Sequence, residues 1–219
     1  MILLTAATPF EMDAFVQAGP KLPVQRLVCG IGPTEAALHL SVFLSQSHIL
    51  PRAVINIGVA GAYLGAERTA DLLDICLATS EELGDLCCCR ANQLLPLTIK
   101  GCTLPSSFKL DESLRLRVEK QLAAAGIIST SGRFITVSSV SGDRARGNMV
   151  LQRYPDALCE NMEGAALARV CAYFRLPFAE IRCISNLVDD PDNQQWHLQE
   201  ACTRCGQAAA ILFQEPFYD

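Results

Sequence analysis

ENMEGAALARV, residues 160–170, leaves an apolar-flanked run and turns directly into a helix. Ala165, Ala166 and Ala168 are good helix formers small enough to pack closely. Gly164 leaves room where a bulky side chain would block another group's approach. Glu163 therefore projects from the first turn, at the positive end of the helix dipole. A carboxylate held there can accept two hydrogen bonds from a vicinal diol such as a ribose. Taken alone, Glu163 is more readily a simple helix cap, and the rest of the chain has to choose.

Around this helix, short apolar runs alternate with helical periods. Residues 2–7 (ILLTAA) suit a buried strand, and Pro9 starts a helix to about Ala18. A second strand at 24–29 reaches the turn Gly30-Ile31-Gly32-Pro33, then a helix from Thr34 to about Ser45. That turn is either a plain tight turn or an anion site. A strand from Ala53 to Val59 follows, with Gly58, Gly61 and Gly65 letting backbone approach a ligand. The middle of the chain predicts a strand at 72–79 and irregular chain with short strands over 80–110. Next come a helix from Asp111 to Gly126 and a strand from Phe134 to Val140, closed by Ser141-Gly142-Asp143. A helix or ordered loop through Met149 and Leu151 leads to the opening helix, Met162 to about Phe174. A strand from Phe178 to Ser185 precedes a final helix from about Asn193 to Phe213, with Trp196, Ala201, Ala208, Ile211 and Leu212 on its apolar stripe. This order predicts a single α/β domain over residues 1–219, a mixed central sheet flanked by helices. Glu11 lies just past the carboxyl end of the first strand, where open α/β sheets bind ligands.

The chain has 219 residues, 50% of them hydrophobic, enough for one substantial core. A net charge of −5 with no basic stripe argues against nucleic-acid or anionic-membrane partners. The N-terminal apolar run is short and soon meets Glu11 and Asp13, so it does not read as a signal peptide. No apolar run reaches the length of a membrane span. Eleven cysteines make a high, odd count. Cys29, Cys76, Cys171 and Cys183 sit in apolar stretches and read as core residues. Cys87-Cys88-Cys89 and the Cys202/Cys205 pair lack the further ligands of a zinc site. Reduced thiols in a cytoplasmic protein are the expectation.

Polar groups recur where the predicted strands end: Glu11, the Gly58 to Gly61 turn, Ser141-Gly142-Asp143 and Ser185-Asn186. Together with Glu163 they form an ordered set. Through AATPFEMDAF at 6–15, VCGIGPTEAAL at 28–38, NIGVAGAYLG at 56–65, VSGD at 140–143, ENMEGAALARVC at 160–171 and IRCISN at 181–186, the chain resembles the purine nucleoside phosphorylase and nucleosidase superfamily. The resemblance covers nearly the whole chain. It implies a purine nucleoside substrate, no metal or organic cofactor, and a homo-oligomer.

Within that superfamily the chain resembles the hydrolases. The phosphorylases hold phosphate with an arginine and a serine or threonine at the positions of Asn56 and Val59. Neither residue here offers that charge or hydroxyl, so water is the implied nucleophile. The methylthioadenosine nucleosidases carry an aspartate where this chain has Asn186. A protonated aspartate donates to N7 and accepts from a 6-amino group, whereas an asparagine NH2 donates to N7 and O6 of a 6-oxopurine. With the ISNLV segment and Trp196, this gives a resemblance to the futalosine hydrolases of menaquinone biosynthesis, which split futalosine into hypoxanthine and dehypoxanthine futalosine.

Carried onto this chain, the resemblance implies that Glu163 grips the 2′ and 3′ hydroxyls and Glu11 deprotonates water. Asn186 stabilises charge on the leaving purine, and Met162, Ser185, Val59 and Gly61 are pocket walls. The nucleosidases stack an aromatic residue on the base where this chain has Arg144-Ala145-Arg146. Either an arginine covers the base or an aromatic such as Phe134 does. The same arginines could instead meet a substrate carboxylate or stand in solvent. Asp189 and Asp190 are either proton donors to the leaving group or a solvated turn. Other readings stay open: a methylthioadenosine, S-adenosylhomocysteine or aminodeoxyfutalosine nucleosidase, a phosphorylase, and a non-catalytic nucleoside-binding protein.

Overall fold

The computed structural model describes residues 1–67, 69–193 and 195–215. Strand β1 (Ile2–Ala6) runs into helix α1 (Pro9–Gln17) through a capping box: Thr8 Oγ1 accepts from the Glu11 N–H, and the Glu11 carboxylate accepts from the Thr8 N–H. Strand β2 (Gln25–Val28), helix α2 (Pro33–Gln46) and the long strand β3 (Ala53–Tyr63) follow. Next come β4 (Ile75–Leu83), the hairpin of β5 (Cys87–Arg90) and β6 (Gln93–Pro96), and β7 (Ser107–Lys109). The second half holds α3 (Glu112–Ala124), β8 (Ser129–Thr136), α4 (Arg144–Arg153) and β9 (Ala157–Asn161). It ends with α5 (Gly164–Phe174), β10 (Phe178–Val188) and α6 (Leu198–Ile211).

The strands form the expected mixed sheet, but it closes partly on itself. β10 pairs in parallel with β3 and antiparallel with β4, and the path β10-β4-β8-β9-β3 returns to β10. β1 and β2 extend the sheet beyond β3 in parallel register. Side chains along a strand alternate between its two faces. Leu4, Ile55 and Ile57 pack beneath α1, α3 and α6, while Leu3, Val54 and Ala60 pack beneath α2 and α5.

Several element boundaries correct the sequence expectations. β3 and β10 run on to Tyr63 and Val188, so Gly58, Gly61 and Asn186 lie inside strands rather than in turns. The strand expected from Phe134 to Val140 occupies Ser129–Thr136 instead, because parallel pairing with β4 recruits the polar lead segment. β4 itself begins at Ile75, and β9 is a short strand hidden in the apolar approach to the opening helix. The last helix begins at Leu198; Trp196 precedes it, and Gln194 lies outside the described residues.

One irregularity positions the site. β10 pairs Arg182 with Gly58 upstream and Asn186 with Gly61 downstream, with a bulge between Ile184 and Asn186. The extra residue reverses the side-chain alternation, turning Asn186 onto the same sheet face as Gly61.

Candidate active site

A cavity of about 420 Å³ opens at the carboxyl ends of β1, β3 and β10. Glu11, Val59, Gly61, Met162, Glu163, Ser185 and Asn186 all line it. Phe134 does not. It is fully buried on the opposite face of the sheet, in register with Cys159, and cannot stack on a base in this cavity. Arg144 and Arg146 are outside the lining as well: Arg146 donates to Asp85 at 2.6 Å, and Arg144 stands 3.9 Å from Asp189. The aromatic side chains in the lining are Phe10 and Trp196, 49% and 55% exposed at the mouth. Asp189 and Asp190 form a turn tied to α4, where Asp190 accepts from the Arg144 N–H at 3.2 Å.

Glu163 stands at the N-cap of α5 yet makes no cap bond. Asn161 Oδ1 does that work, accepting from the N–H groups of Glu163 and Gly164. The Glu163 carboxylate instead accepts from the Gly32 N–H at 3.1 Å and from Arg182 Nη2 at 3.0 Å. Gly32 is the N-cap of α2 with φ 89°, a conformation suited to glycine. The glycine turn is thus an anion site, and its anion is the protein's own carboxylate.

Arg182 was not a candidate from the sequence. It is almost wholly buried and donates to Glu180 Oε1, Val59 O, Asn161 Oδ1 and Glu163 Oε2. Each of its three nitrogens already donates to the protein, four bonds in all, so no two-pronged edge stays uncommitted for a phosphate dianion. A signal did exist: an arginine inside the apolar run of β10 is costly unless paired. Asn56 also faces away from the cavity; it accepts from Thr5 Oγ1 and donates to Glu180 Oε1.

Glu11 Oε2 accepts from Thr8, and Oε1 accepts from the Val59 N–H at 3.2 Å. Burial raises its pKa above 4.5 and the neighbouring Glu163 adds to this, while Arg182, Thr8 and Val59 oppose it. Such a carboxylate is a better base near neutral pH than an ordinary one.

Gly61 marks the far end of the cavity. Its register partners are Asn186 on β10 and Glu160 on β9, so an amide and a carboxylate flank a bare strip of backbone. The Ser185 hydroxyl donates to Asn186 Oδ1 at 2.9 Å, which leaves Nδ2 for a ligand. A Cβ on Gly61 would sit 3.1 Å from that Nδ2 and crowd it. Glu160, also missed in the sequence, accepts from Ser141 N–H at 2.7 Å, Ser141 Oγ at 2.6 Å and Tyr63 OH at 2.9 Å. Burial raises its pKa, and these donors and Arg146 oppose the rise.

The Cys202/Cys205 pair is buried, and burial pushes the Cys202 thiol up to about 12. Among the described residues no group of three potential metal ligands converges, and no helix is long and apolar enough to cross a membrane.

The sequence profile of the phosphorylase superfamily matches residues 20–215. The chain belongs to this superfamily. A 5′-methylthioadenosine/S-adenosylhomocysteine nucleosidase of Geobacillus kaustophilus is 31% identical over 172 residues, 75% of this chain and 67% of that protein. A futalosine hydrolase of Streptomyces coelicolor is 27% identical and spans 96% of this chain and 94% of its own. The same superfamily fold is seen in a futalosine hydrolase mutant of Helicobacter pylori (TM-score 0.79, 16% identity, 96% of this chain and 97% of that one). It is seen again in a 5′-methylthioadenosine/S-adenosylhomocysteine nucleosidase from Borrelia burgdorferi bound to adenine (TM-score 0.78, 23% identity, 97% and 98%). These superfamily relatives are nucleosidases and hydrolases, and the chain is an enzyme of that nucleosidase class.

Proposed function

We propose that this enzyme hydrolyses the N-glycosidic bond of a 6-oxopurine nucleoside of the futalosine type, releasing hypoxanthine in menaquinone biosynthesis. The observation that carries the reading is the pair flanking Gly61. A 6-oxopurine offers acceptors at N7 and O6 and a donor at N1–H. Asn186 Nδ2 supplies the donor, and Glu160 supplies the acceptor. Adenine would set its 6-amino group against the amide NH2 and its N1 lone pair against the carboxylate, leaving buried polar groups unpaired.

With the base over Gly61, the sugar lies between Glu163 and Glu11. Glu163 accepts from the 2′ and 3′ hydroxyls. Glu11 takes a proton from water as its oxygen attacks C1′. The glycosidic electron pair leaves with the purine, where Asn186 stabilises the charge, and solvent supplies the final proton. The commitment of Arg182 to Glu180, Val59, Asn161 and Glu163 supports water over phosphate as nucleophile. The apolar mouth formed by Phe10, Ile31, Val140 and Trp196 suits an aryl 5′ substituent.

A second reading, a methylthioadenosine or S-adenosylhomocysteine nucleosidase, is favoured by one feature. Among the described residues the lining holds no cation except Arg182, so a substrate carboxylate finds no partner inside the cavity. The deciding assay is purine release from futalosine, inosine and methylthioadenosine, each with and without phosphate. Phosphate-independent hypoxanthine release should exceed adenine release by about 5- to 150-fold in kcat/KM. Faster adenine release establishes the second reading, and a phosphate requirement sinks hydrolysis.

A further inference from the structure

Behind the cavity lies a pair of carboxyl groups with no part in the chemistry above. Glu81 on β4 is 0% exposed and Glu180 on β10 is 1% exposed. Both reach toward the Cα of Gly164, where an added Cβ would collide with Glu81 Oε1 and Glu180 Oε2 at once. The two oxygens therefore share one small space. Glu81 Oε1 accepts from Asn161 Nδ2 at 2.6 Å, and its Oε2 accepts from Thr136 Oγ1 at 2.7 Å. Glu180 Oε1 accepts from Arg182 Nε at 2.8 Å and from Asn56 Nδ2 at 3.1 Å. Glu180 Oε2 is buried with no hydrogen-bond partner among the described residues.

An orphan carboxylate oxygen in a dry interior is costly, and a second carboxylate facing it makes matters worse. One proton removes both problems. Placed on Glu81 Oε1, it points at Glu180 Oε2 and turns a repulsion into a charge-assisted hydrogen bond. Burial, then the charge of Glu180, raise the Glu81 pKa well above its ordinary value, against the opposing bonds from Thr136 and Asn161. The other charged groups nearby are Arg182, Glu163 and Glu11, while burial raises the pKa of the adjacent Cys159 thiol well above its usual value.

We propose that Glu81 carries a proton that it donates to Glu180 Oε2, and that Glu180, held in this way, is a positioning residue that sets Arg182 and through it Glu163. The linkage is rigid. Glu180 holds Nε on one side of a planar guanidinium whose Nη2 reaches Glu163 Oε2 on the other. Asn56 braces Glu180, and Thr5 braces Asn56. With the proton in place the pair carries one negative charge, which Arg182 can balance while still serving Glu163.

The test combines isotope-edited infrared spectroscopy of glutamate carboxyls with kinetics. At neutral pH a protonated-carboxyl C=O band should be present in the wild type and persist in Glu11→Gln and Glu160→Gln. It should vanish in Glu180→Gln, where the new amide donates to an ionised Glu81. Glu180→Leu removes the Arg182 anchor and should lower kcat/KM roughly 10-fold or more. Glu180→Gln keeps an oxygen for Arg182 Nε and the single negative charge of the pair, and should recover most of that loss. No band in the wild type, or a band that survives Glu180→Gln, overturns the shared proton. Wild-type kcat/KM in Glu180→Leu, or equal impairment in both variants, overturns the positioning role. The kinetic half rests on the nucleosidase reading and the infrared half does not. A wild type without turnover therefore condemns that reading, and a missing band condemns the pair.

Discussion

Arg182 Nη2 donates to Glu163 Oε2 at 3.0 Å, with both side chains almost wholly out of water. The other Glu163 oxygen takes the Gly32 N–H. Each oxygen keeps a lone pair, so the carboxylate is oriented by the protein yet still able to accept from a diol. Glu163→Ala should cost about 1.5–3 kcal/mol in kcat/KM through loss of charge-assisted hydrogen bonds. A 2′,3′-dideoxy substrate should lose a similar amount on the wild type and much less on the variant. Equal losses on the two proteins would show that Glu163 does not touch the sugar.

In the proposed hydrolysis Glu11 is the base, a role its place in the cavity and its raised pKa support. Glu11→Gln should lower kcat roughly 100-fold or more with little change in KM. In the wild type the acid limb of the pH profile should lie above 4.5, because burial raises the Glu11 pKa and a protonated Glu11 cannot take a proton from water. Near-normal turnover in the variant, or a limb at the ordinary carboxylate value, contradicts the assignment.

The same burial has a stability consequence. The folded pKa values of Glu11 and Glu160 are raised above 4.5, so between that value and the raised ones the folded state binds more protons than the unfolded chain. Unfolding free energy then falls with rising pH. Each group's contribution is fully present below the unfolded pKa and is lost as pH rises through the folded one. The Tm of Glu11→Gln or Glu160→Gln, relative to wild type, should therefore climb from mildly acid to neutral pH. A Tm difference independent of pH would refute this.

Base choice should follow the two groups beside Gly61. Asn186→Asp should lower the ratio of 6-oxo to 6-amino kcat/KM by about 1–3 kcal/mol, on the order of 5- to 150-fold. The wild-type ratio should also fall as pH drops through the raised Glu160 pKa, because a protonated carboxyl can donate to adenine N1 and is a weaker, uncharged acceptor for N1–H. Glu160→Gln should flatten that pH dependence. A wild type that prefers the 6-amino substrate, or an unmoved ratio in Asn186→Asp, defeats the hypoxanthine argument.

Local signals in the sequence determined much of this protein. The Thr8–Glu11 capping box, the glycine turn before α2 and the small-residue helix after Glu163 each act within a few residues, so helices and most strands were legible. Glu11, Glu163 and Asn186 each stand beside such a signal, and all three line the cavity. What the sequence left undecided depends on strand register. Phe134 belongs to an apolar strand either way, and only its pairing with Cys159 puts it on the face away from the cavity. Glu160 faces Asn186 across Gly61 because of two registers and one bulge, and a one-residue slip would turn either away. Arg182 finds its partners on β3, β9, β10 and at the start of α5, which meet only because β10 pairs with β3 and β4 together. Helical period and turn chemistry are written in neighbouring residues. The charge balance of a buried site is set by side chains that meet only when the sheet closes.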